Sequence, residues 1–403
     1  MSAFFAISLV GWVAVVGLAL LRSRLYAIYR GVTLAFQVVF ASALLHRFQS
    51  PSWLMVMFCY LHAAVFVQAI GLIRPRMRSL PYRALVSVPG AFFAAGTLLS
   101  LPWVVVGAFG VDLPAVFVPY VAAAIGVLQS LWSREETRHI VVGDREVVPA
   151  LARHYPAESR VARPLRLVQI TDPHLGPFMS VERLAAICQR AIDKDPDLIL
   201  LTGDFLTMES QADPELLEAA LAPLKSLEGR VFACLGNHDH EAPEIVLGAL
   251  ERNGVTLLVD RATSVTTAAG PVQLVGMDFV WRERKQHLAR VCAEHPREPN
   301  ALRIVLLHDP GAFVHLPEGE ADLVLSGHTH GGQVGLVSLG LPYTMMRAFV
   351  KMPDHGLWAR GTDRLYVHRG TGHYGFPLRL GVPAEESLLA VHSPAHHGEP
   401  LPS

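Results

Sequence analysis

Residues 323–332 have the sequence LVLSGHTHGG, in which a short apolar run predicts a buried β-strand and the turn after it carries two histidines. Four earlier segments repeat this arrangement: 165–174 (LRLVQITDPH), 198–204 (LILLTGD), 231–239 (VFACLGNHD) and 304–308 (IVLLH). Stretches with helical periodicity lie between them, which predicts an α/β domain. Ligands bind outside the carboxyl ends of strands in such sheets, so we expect the side chains after these five strands to converge on one crevice.

Two of the helices are marked by their ends. Asp213 as N-cap and Pro214 at the first helical position predict a helix over residues 213–227. A second apolar periodic run, residues 242–252, ends in Asn253-Gly254, a pair suited to a left-handed cap.

The residue types at the strand ends favour a metal site. Carboxylate and amide oxygens mixed with imidazoles suit manganese, iron or zinc better than calcium or magnesium, which prefer oxygen ligands alone. A single Asp or His at a strand end is usually a turn former or a satisfied polar residue. A series of seven at successive strand ends favours metal binding instead. The adjacent glycines allow tight turns and leave room for a phosphate.

In this order, the motifs DPH, GD, GNHD, a later single His and GHTH resemble those of the calcineurin-like metallophosphoesterases. The resemblance is greatest to their membrane-associated bacterial branch, which carries GHTHGGQ and a late segment similar to residues 369–379, RGTGHYGFPLR. It covers residues 165–391. It implies an α/β domain built as a two-sheet β-sandwich flanked by helices, in four layers α-β-β-α.

The resemblance also implies two divalent metal ions, with Mn²⁺ the first expectation and Fe or Zn the alternatives. One ion would be held by Asp172, His174 and His330, and the other by Asn237, His308 and His328, with Asp204 bridging both. A hydroxide shared by the metals is the expected nucleophile, while the cations neutralise charge on the phosphoryl oxygens.

The histidine of the GNHD motif is not needed as a ligand. The resemblance implies that His238 faces the substrate and protonates the leaving oxygen, as a near-neutral imidazole can. A role in binding phosphate would keep the same residue in place. Asp239 would orient His238 or a neighbouring ligand.

The first third of the chain has a different character. Five apolar runs, approximately residues 4–21, 26–45, 53–72, 85–109 and 113–132, predict about five transmembrane helices. A cleaved signal peptide is the alternative for the first run, but no basic residue precedes it and further spans follow. His62 and Gln68 lie within the third span, where an interhelical hydrogen bond is favoured over a functional site.

Arginines predict the orientation of these helices. They concentrate after the first and third spans, and such loops face the cytoplasm. An odd number of spans then puts the catalytic domain on the cytoplasmic side of the plasma or inner membrane, although one miscounted helix would reverse this. Four dispersed cysteines without a CxxC pair agree with a reducing compartment.

The predicted organisation has four parts: residues 1–133 as the transmembrane region, 134–164 as a linker with one edge strand, 165–393 as the metallophosphoesterase domain and 394–403 as a flexible tail. Within the domain, residues 333–360, here called the flap segment, are unusually apolar with interleaved basic residues. We expect this segment to meet the membrane surface or the acyl chains of a substrate. Packing on the domain is the alternative.

Together these features predict a membrane-anchored phosphodiesterase or pyrophosphatase that acts on a lipid or envelope-precursor phosphate. A phosphomonoesterase or a phosphodiesterase of soluble nucleotides is one alternative, and a membrane sensor or scaffold without catalysis is another. The expected partners are a lipid-linked substrate and membrane lipids. A formal net charge of −1 argues against nucleic acid, and the sequence does not fix an oligomeric state.

Overall fold

The computed structural model describes residues 3–143, 146–155, 163–373, 375 and 378–393. Two compact units make up the chain. The first comprises Met1–Leu131, Met208–Ala212 and Gly375–Leu380, and the second comprises Trp132–Thr207, Asp213–Tyr374 and Gly381–Ser403. The predicted tail and residues 156–162 of the predicted linker lie outside the described residues.

The first unit is helical. Its helices are α1 (Ala3–Ala19), α2 (Arg24–Leu44), α3 (Ser52–Gly71), α4 (Leu80–Tyr82), α5 (Val88–Leu99), α6 (Leu101–Ala108) and α7 (Val118–Ser130), with a π-helical turn at Arg83–Ser87 between α4 and α5. Within the described part of the chain, three helical stretches are long and apolar enough to cross a membrane: Arg24–Phe48, Ser52–Gly71 and Leu80–Leu99. The helices α1 and α7 are apolar but shorter. The predicted span 85–109 is divided at Ser100, between α5 and α6, next to Pro102.

Polar side chains within this unit hydrogen-bond between helices. The Ser8 hydroxyl of α1 lies 3.0 Å from Nε2 of His62 in α3. The Ser87 hydroxyl donates to Oε1 of Gln68 at 2.8 Å. Such bonds satisfy groups that would otherwise be unpaired among apolar side chains.

The second unit contains the strands. They are β1 (Ser133–Val141), β2 (Val148–Arg153), β3 (Leu165–Ile170), β4 (Leu198–Leu201), β5 (Val231–Ala233), β6 (Thr256–Leu257), β7 (Arg261–Thr267), β8 (Gly270–Gly276), β9 (Leu302–Leu306), β10 (Leu323–Ser326), β11 (Gly356–Gly361), β12 (Asp363–Val367) and β13 (Ala384–His392). One mixed sheet has the order β1-β13-β3-β4-β5-β6, and the other has the order β2-β11-β12-β10-β9-β8-β7.

Helices cover the outer face of each sheet. Helices α8 (Val181–Asp193), α9 (Pro214–Leu221) and α10 (Pro243–Arg252) pack on the first sheet, and α11 (Arg284–Glu294) packs on the second. Between the sheets lies an apolar core that includes Leu167, Leu200, Leu274, Ile304 and Leu389. The expected four-layer α-β-β-α sandwich is therefore confirmed. The short helix α12 (Met345–Phe349) lies in the flap segment.

Three details differ from the sequence reasoning. The five ligand-bearing strands belong to two sheets, with β3, β4 and β5 in one and β9 and β10 in the other. Residues 134–164, predicted as a linker with one edge strand, contain β1 and β2, which pair with β13 and β11. Strand partners so distant in sequence leave no local signal. The helix predicted over 213–227 becomes 3₁₀ after Leu221, because Pro223 lacks an N–H for the α-helical ladder.

Candidate metal centre

The candidate ligands stand on short loops at the carboxyl ends of β3, β4, β5, β9 and β10. Five of these residues have left-handed backbone angles, with φ of 51° at Asp172, 47° at His174, 59° at Asp204, 69° at His328 and 51° at His330. Each such residue costs of order 1–3 kcal/mol and persists only where its surroundings fix it. The concentration of this strain at one place is typical of a functional site.

The first group of ligands is Asp172, His174 and His330, all buried. Nε2 of His174 lies 3.2 Å from Nε2 of His330, and Oδ1 of Asp172 lies 3.4 Å from Nε2 of His330. Three donor atoms of these types at such separations can share one cation.

The second group is Asp204, His308 and His328, whose potential donor atoms also lie within 4.8 Å of one another. Oδ2 of Asp204 is 3.2 Å from Nε2 of His308 and 3.7 Å from Nε2 of His174. That oxygen therefore faces both groups, as a bridging carboxylate must. The other oxygen, Oδ1, accepts from the backbone N–H of His238 at 2.8 Å.

Asn237, the seventh predicted ligand, provides an independent test of whether a cation fits. Its Oδ1 is buried, and among the described residues no hydrogen-bond donor reaches it. A buried carbonyl oxygen without a partner is rare and calls for an explanation, which a metal ion would supply. The structure thus brings the other six candidate ligands together, and Asn237 precedes His238, whose N–H donates to Asp204. The assignment of the seven residues to ions stays a prediction.

The candidate histidine ligands differ in their protonation. Burial lowers the pKa of His174 to about 3 and that of His328 to about 4, so both are neutral imidazoles at physiological pH. Nδ1 of His308 lies 2.6 Å from the carbonyl oxygen of Thr202, and Nδ1 of His174 lies 3.2 Å from that of Leu206. In neutral His174, an Nδ1 that donates to a carbonyl leaves the Nε2 lone pair for a cation. Burial lowers the pKa of His308, but the carboxylate of Asp204 outweighs burial and raises that pKa to about 10, so a cation bound there would replace the Nε2 proton.

The carboxylates carry the negative charge that divalent ions would neutralise. Burial raises the pKa of Asp172 to about 6. Burial acts in the same direction on Asp204, but the nearby His308 outweighs it and holds the pKa of Asp204 well below its usual range. At neutral pH both side chains are therefore ionised, although they are buried, and such charges are costly unless paired or bound to metal.

Two glycines leave the space that these carboxylates occupy. A Cβ at Gly327 would lie 2.1 Å from Oδ2 of Asp172, and one at Gly236 would lie 2.2 Å from Oδ1 of Asp204. Both distances are far inside van der Waals contact, so any larger residue would displace a candidate ligand.

Asp239 holds the backbone of the centre. Its Oδ2 accepts from the N–H groups of Asp204 and Gly236, and its Oδ1 accepts from that of Phe205, all at 2.8 Å. The expectation that Asp239 orients His238 or a neighbouring ligand is thus met for Asp204, through its main chain.

His238 lies beside the first group, with its ring centroid 5.6 Å from that of His174. Its Nδ1 is 2.7 Å from Oε1 of Glu241, a residue that the sequence reasoning missed. Burial lowers the pKa of His238, but the hydrogen bond to Glu241 and the charge of Asp204 outweigh burial and raise it. The imidazolium form of His238 is therefore more stable than that of a free histidine, as suits a proton donor.

Residues 165–332 match the sequence model of the family described as calcineurin-like phosphoesterase. Phosphodiesterase YaeI of Escherichia coli K12 is 32% identical over 236 residues, which are 57% of this chain and 83% of that protein. The chain belongs to the calcineurin-like phosphoesterase family. It is a metal-dependent phosphoester hydrolase.

Other relatives differ in their coverage. An uncharacterized metallophosphoesterase of Helicobacter pylori J99 is 28% identical over 239 residues, 58% of this chain and 61% of that protein. A zebrafish (Danio rerio) protein described as a transmembrane protein with metallophosphoesterase domain is 28% identical over 246 residues, 56% of this chain and 53% of that protein. With its three long apolar helices, this member of the calcineurin-like phosphoesterase family is a membrane protein.

An aromatic loop after β8 flanks the second ligand group. The Phe279 ring lies 6.1 Å from the His328 ring and 6.4 Å from the His308 ring. Trp281 meets Phe279 edge to face at 4.7 Å and is 73% exposed, and Arg284 pairs with Asp309 at 2.8 Å. No sequence motif marks this loop, although it follows a strand whose carboxyl end lies at the same sheet edge.

The flap segment continues directly from the ligand loop. Leu339, Tyr343 and Phe349 are its most exposed large apolar residues, and Phe349 is 82% exposed. Asp354 anchors the segment, because its carbonyl accepts from the Thr329 hydroxyl and its carboxylate accepts from the Thr344 hydroxyl, both at 2.6 Å. The end of the segment is different, since Trp358 is buried in β11.

Proposed function

We propose that this protein is a membrane-anchored hydrolase of phosphodiester or pyrophosphate bonds in lipid or envelope-precursor substrates. The observation that carries the hydrolytic part is the pair of ligand groups that share Asp204, with His238 alongside. The lipid part is supported by the exposed apolar residues of the flap segment, which is joined to the loop that bears His328 and His330.

The candidate ligands fit two divalent cations, of which we propose Mn²⁺ first and Fe or Zn as alternatives. Bound there, such ions supply a hydroxide at neutral pH and neutralise charge on the phosphoryl oxygens. Asp172, His174 and His330 would hold one ion, and Asn237, His308 and His328 the other. Oδ2 of Asp204 faces both groups and would fix the distance between the ions.

His238 would act on the leaving group. Glu241 accepts a hydrogen bond from Nδ1 of His238, which fixes the ring and stabilises the protonated form. A positioned imidazolium that gives its proton to the departing oxygen typically contributes 10²–10⁴-fold in rate. Asp239 accepts hydrogen bonds from the N–H groups of Asp204 and Gly236. It thereby holds the loop of the candidate ligand Asp204 beside the turn that leads to the proton donor His238.

The substrate class follows from the surroundings of the centre. Exposed Leu339 and Phe349 would contact acyl chains, while Arg347 and Lys351 lie among them and suit head-group phosphates. A transmembrane anchor raises the effective concentration of membrane-borne substrates at such a surface. We further propose that about five spans anchor the chain and that the catalytic unit is cytoplasmic.

The test is a substrate panel with purified full-length protein in lipid nanodiscs, loaded with Mn²⁺. It compares an aryl phosphomonoester, a bis-aryl phosphodiester, a diacylated phosphodiester and a lipid-linked pyrophosphate. We expect the highest kcat/KM for one of the two lipid substrates. A phosphomonoester as the best substrate would contradict the proposal, and so would a soluble diester that is turned over as well as both lipids.

A further inference from the structure

The space between the two sheets is apolar over most of its extent but charged at one end. Arg134, Glu136 and Arg138 alternate along β1 with the same period as Ile140, which belongs to the core between the sheets. Glu385 occupies the equivalent face of β13, two positions before Ser387 and four before the core residue Leu389. Charged residues on an inward face are costly and therefore need an explanation.

These charges line a cavity of about 690 Å³ at the edge where β1 and β2 end the two sheets. Its volume lies within the range of ~300–1,000 Å³ that is usual for small-molecule sites. None of the seven candidate metal ligands lines it, nor does His238. The cavity is thus separate from the metal centre.

The lining carries an excess of positive charge. Four arginines, Arg134, Arg138, Arg153 and Arg369, line the cavity with two carboxylates, Glu136 and Glu385. Arg153 is paired with Asp354 at 2.7 Å, which leaves three arginines for two carboxylates. Arg369 pairs with Glu136 at 2.7 Å and with Glu385 at 3.3 Å. Arg134 and Arg138 also contact Glu136, so three of the arginines share two glutamates. Arg134 and Arg138 are half-exposed, and their guanidinium groups are available to a further anion.

The rest of the lining includes apolar side chains. The flap segment contributes Val337, Leu341 and Pro342, and Leu357 of β11 and Ile140 of β1 also line the cavity. The cavity therefore offers both cationic and aliphatic groups to a ligand. A ligand that satisfies both has a phosphate or carboxylate head and an alkyl chain.

We propose that this cavity is a second ligand site, which binds an anionic amphiphile with Arg134 and Arg138 at its head and Leu341 along its chain. The site is independent of the proposed substrate. Because residues 337–342 belong to the flap segment, an occupant would hold that segment against the sandwich edge and so link the second site to the metal centre.

The test is photolabelling of the full-length protein in nanodiscs with an alkyl phosphate that carries a diazirine in its chain. A fatty acid and a neutral alkyl alcohol with the same photoreactive chain form the other arms. We expect the phosphate or the carboxylate probe, or both, to label peptides from residues 337–342 or 140–141, and the alcohol to label them far less. Which anion labels more identifies the head group.

Variants place the ligand within the cavity. Arg134→Gln combined with Arg138→Gln is expected to lower labelling by roughly tenfold, the usual effect of losing a charged hydrogen bond. Leu341→Trp is expected to abolish labelling by filling the space beside the apolar side chains of the flap segment. Arg261→Gln, on the strand β7 at the far edge of the second sheet, and Leu247→Trp, on the exposed face of α10, are the matched controls. Thermal unfolding checks that each variant is folded.

Equal labelling by the neutral alcohol would overturn the anionic part of the proposal. Labelling of a folded Leu341→Trp variant at the wild-type level would overturn the site itself. Neither result depends on turnover, so failure here is distinguishable from failure of the proposed hydrolase function.

Discussion

The two halves of the metal centre are alike in their ligands and different in what surrounds them. Each half combines histidine nitrogens with oxygen donors, and Asp204 faces both. The half that includes His330 adjoins the flap segment with its exposed aliphatic and aromatic residues. The half that includes His308 and His328 adjoins the Phe279–Trp281 pair.

This difference assigns the reaction and the choice of substrate to different parts of the centre. The ligands stand on strand ends that are fixed by two sheets, and small glycines and Asp239 leave them little freedom. The flanking loops carry exposed apolar side chains that no catalytic step requires. We infer that the ligands and His238 set the reaction, while the flap segment and the aromatic loop select opposite ends of the substrate.

The largest effect is expected for His238→Ala. With an alkoxide leaving group, kcat should fall by about 10²–10³-fold, because the departing oxygen needs a proton. With a nitrophenolate leaving group, which departs readily without one, the loss should be far smaller. Rates for a matched series of diesters measure this. Equal losses for all leaving groups would assign His238 to phosphate binding, and exposed His315→Ala is the control.

Phe349→Ser tests the flap side of the comparison. Its exposed ring is expected to contribute ~1.5–3 kcal/mol when buried against lipid, so kcat/KM on a diacylated phosphodiester should fall about tenfold or more. Hydrolysis of a soluble bis-aryl phosphodiester should be unchanged. Leu247→Ser, an exposed apolar residue of α10, is the control. If both substrates lose activity equally, the segment has no selective role.

Phe279→Ala tests the aromatic side. A ring pair contributes ~0.5–1.5 kcal/mol beyond its buried area, so we expect a several-fold higher KM for diesters with an aryl group. Diesters with only alkyl groups should be affected less. The neighbouring Val280→Ala is the matched control. A loss that falls on alkyl substrates instead would show that this loop supports the ligands rather than the substrate.

Glu241→Gln should have the smallest effect, on pH dependence. The Glu241 carboxylate raises the pKa of His238, and the acid form is the active one, so activity declines as pH rises through that pKa. Removal of the carboxylate lowers the pKa and moves the basic limb of the kcat/KM profile to lower pH. Exposed Glu244→Gln is the control. An unmoved basic limb would separate Glu241 from the proton donor.

The sequence predicted the residues of the centre better than the layout around it. The strands that precede Asp172, Asp204 and His308 are recognisable because each is a short apolar run followed by a residue type that binds metals. Periodicity identifies a strand but not its sheet, so the division of these strands between two sheets was not predictable. β1 pairs with β13 some 250 positions away, and its charged inward face resembles that of a solvated linker.

Local spacing also concealed the partners of His238 and the aromatic loop. Glu241 follows His238 by three positions in a 3₁₀ turn that the sequence does not announce. Phe279 lies outside the ordered motifs, and its contact with the histidines depends on how β8 and β9 pair. These residues became apparent only from the three-dimensional arrangement.

The central claim is that Asp204 joins two metal sites in one hydrolytic centre. Its most direct test is metal content and bis-aryl phosphodiesterase activity of the full-length protein and of Asp204→Asn, with exposed Asp193→Asn as the control. We predict two bound ions and Mn²⁺-dependent turnover in the wild type and control, with fewer ions and roughly 10³-fold lower kcat in Asp204→Asn. Full activity with one ion, or an Asp204→Asn variant that keeps both ions and normal kcat, would contradict the account.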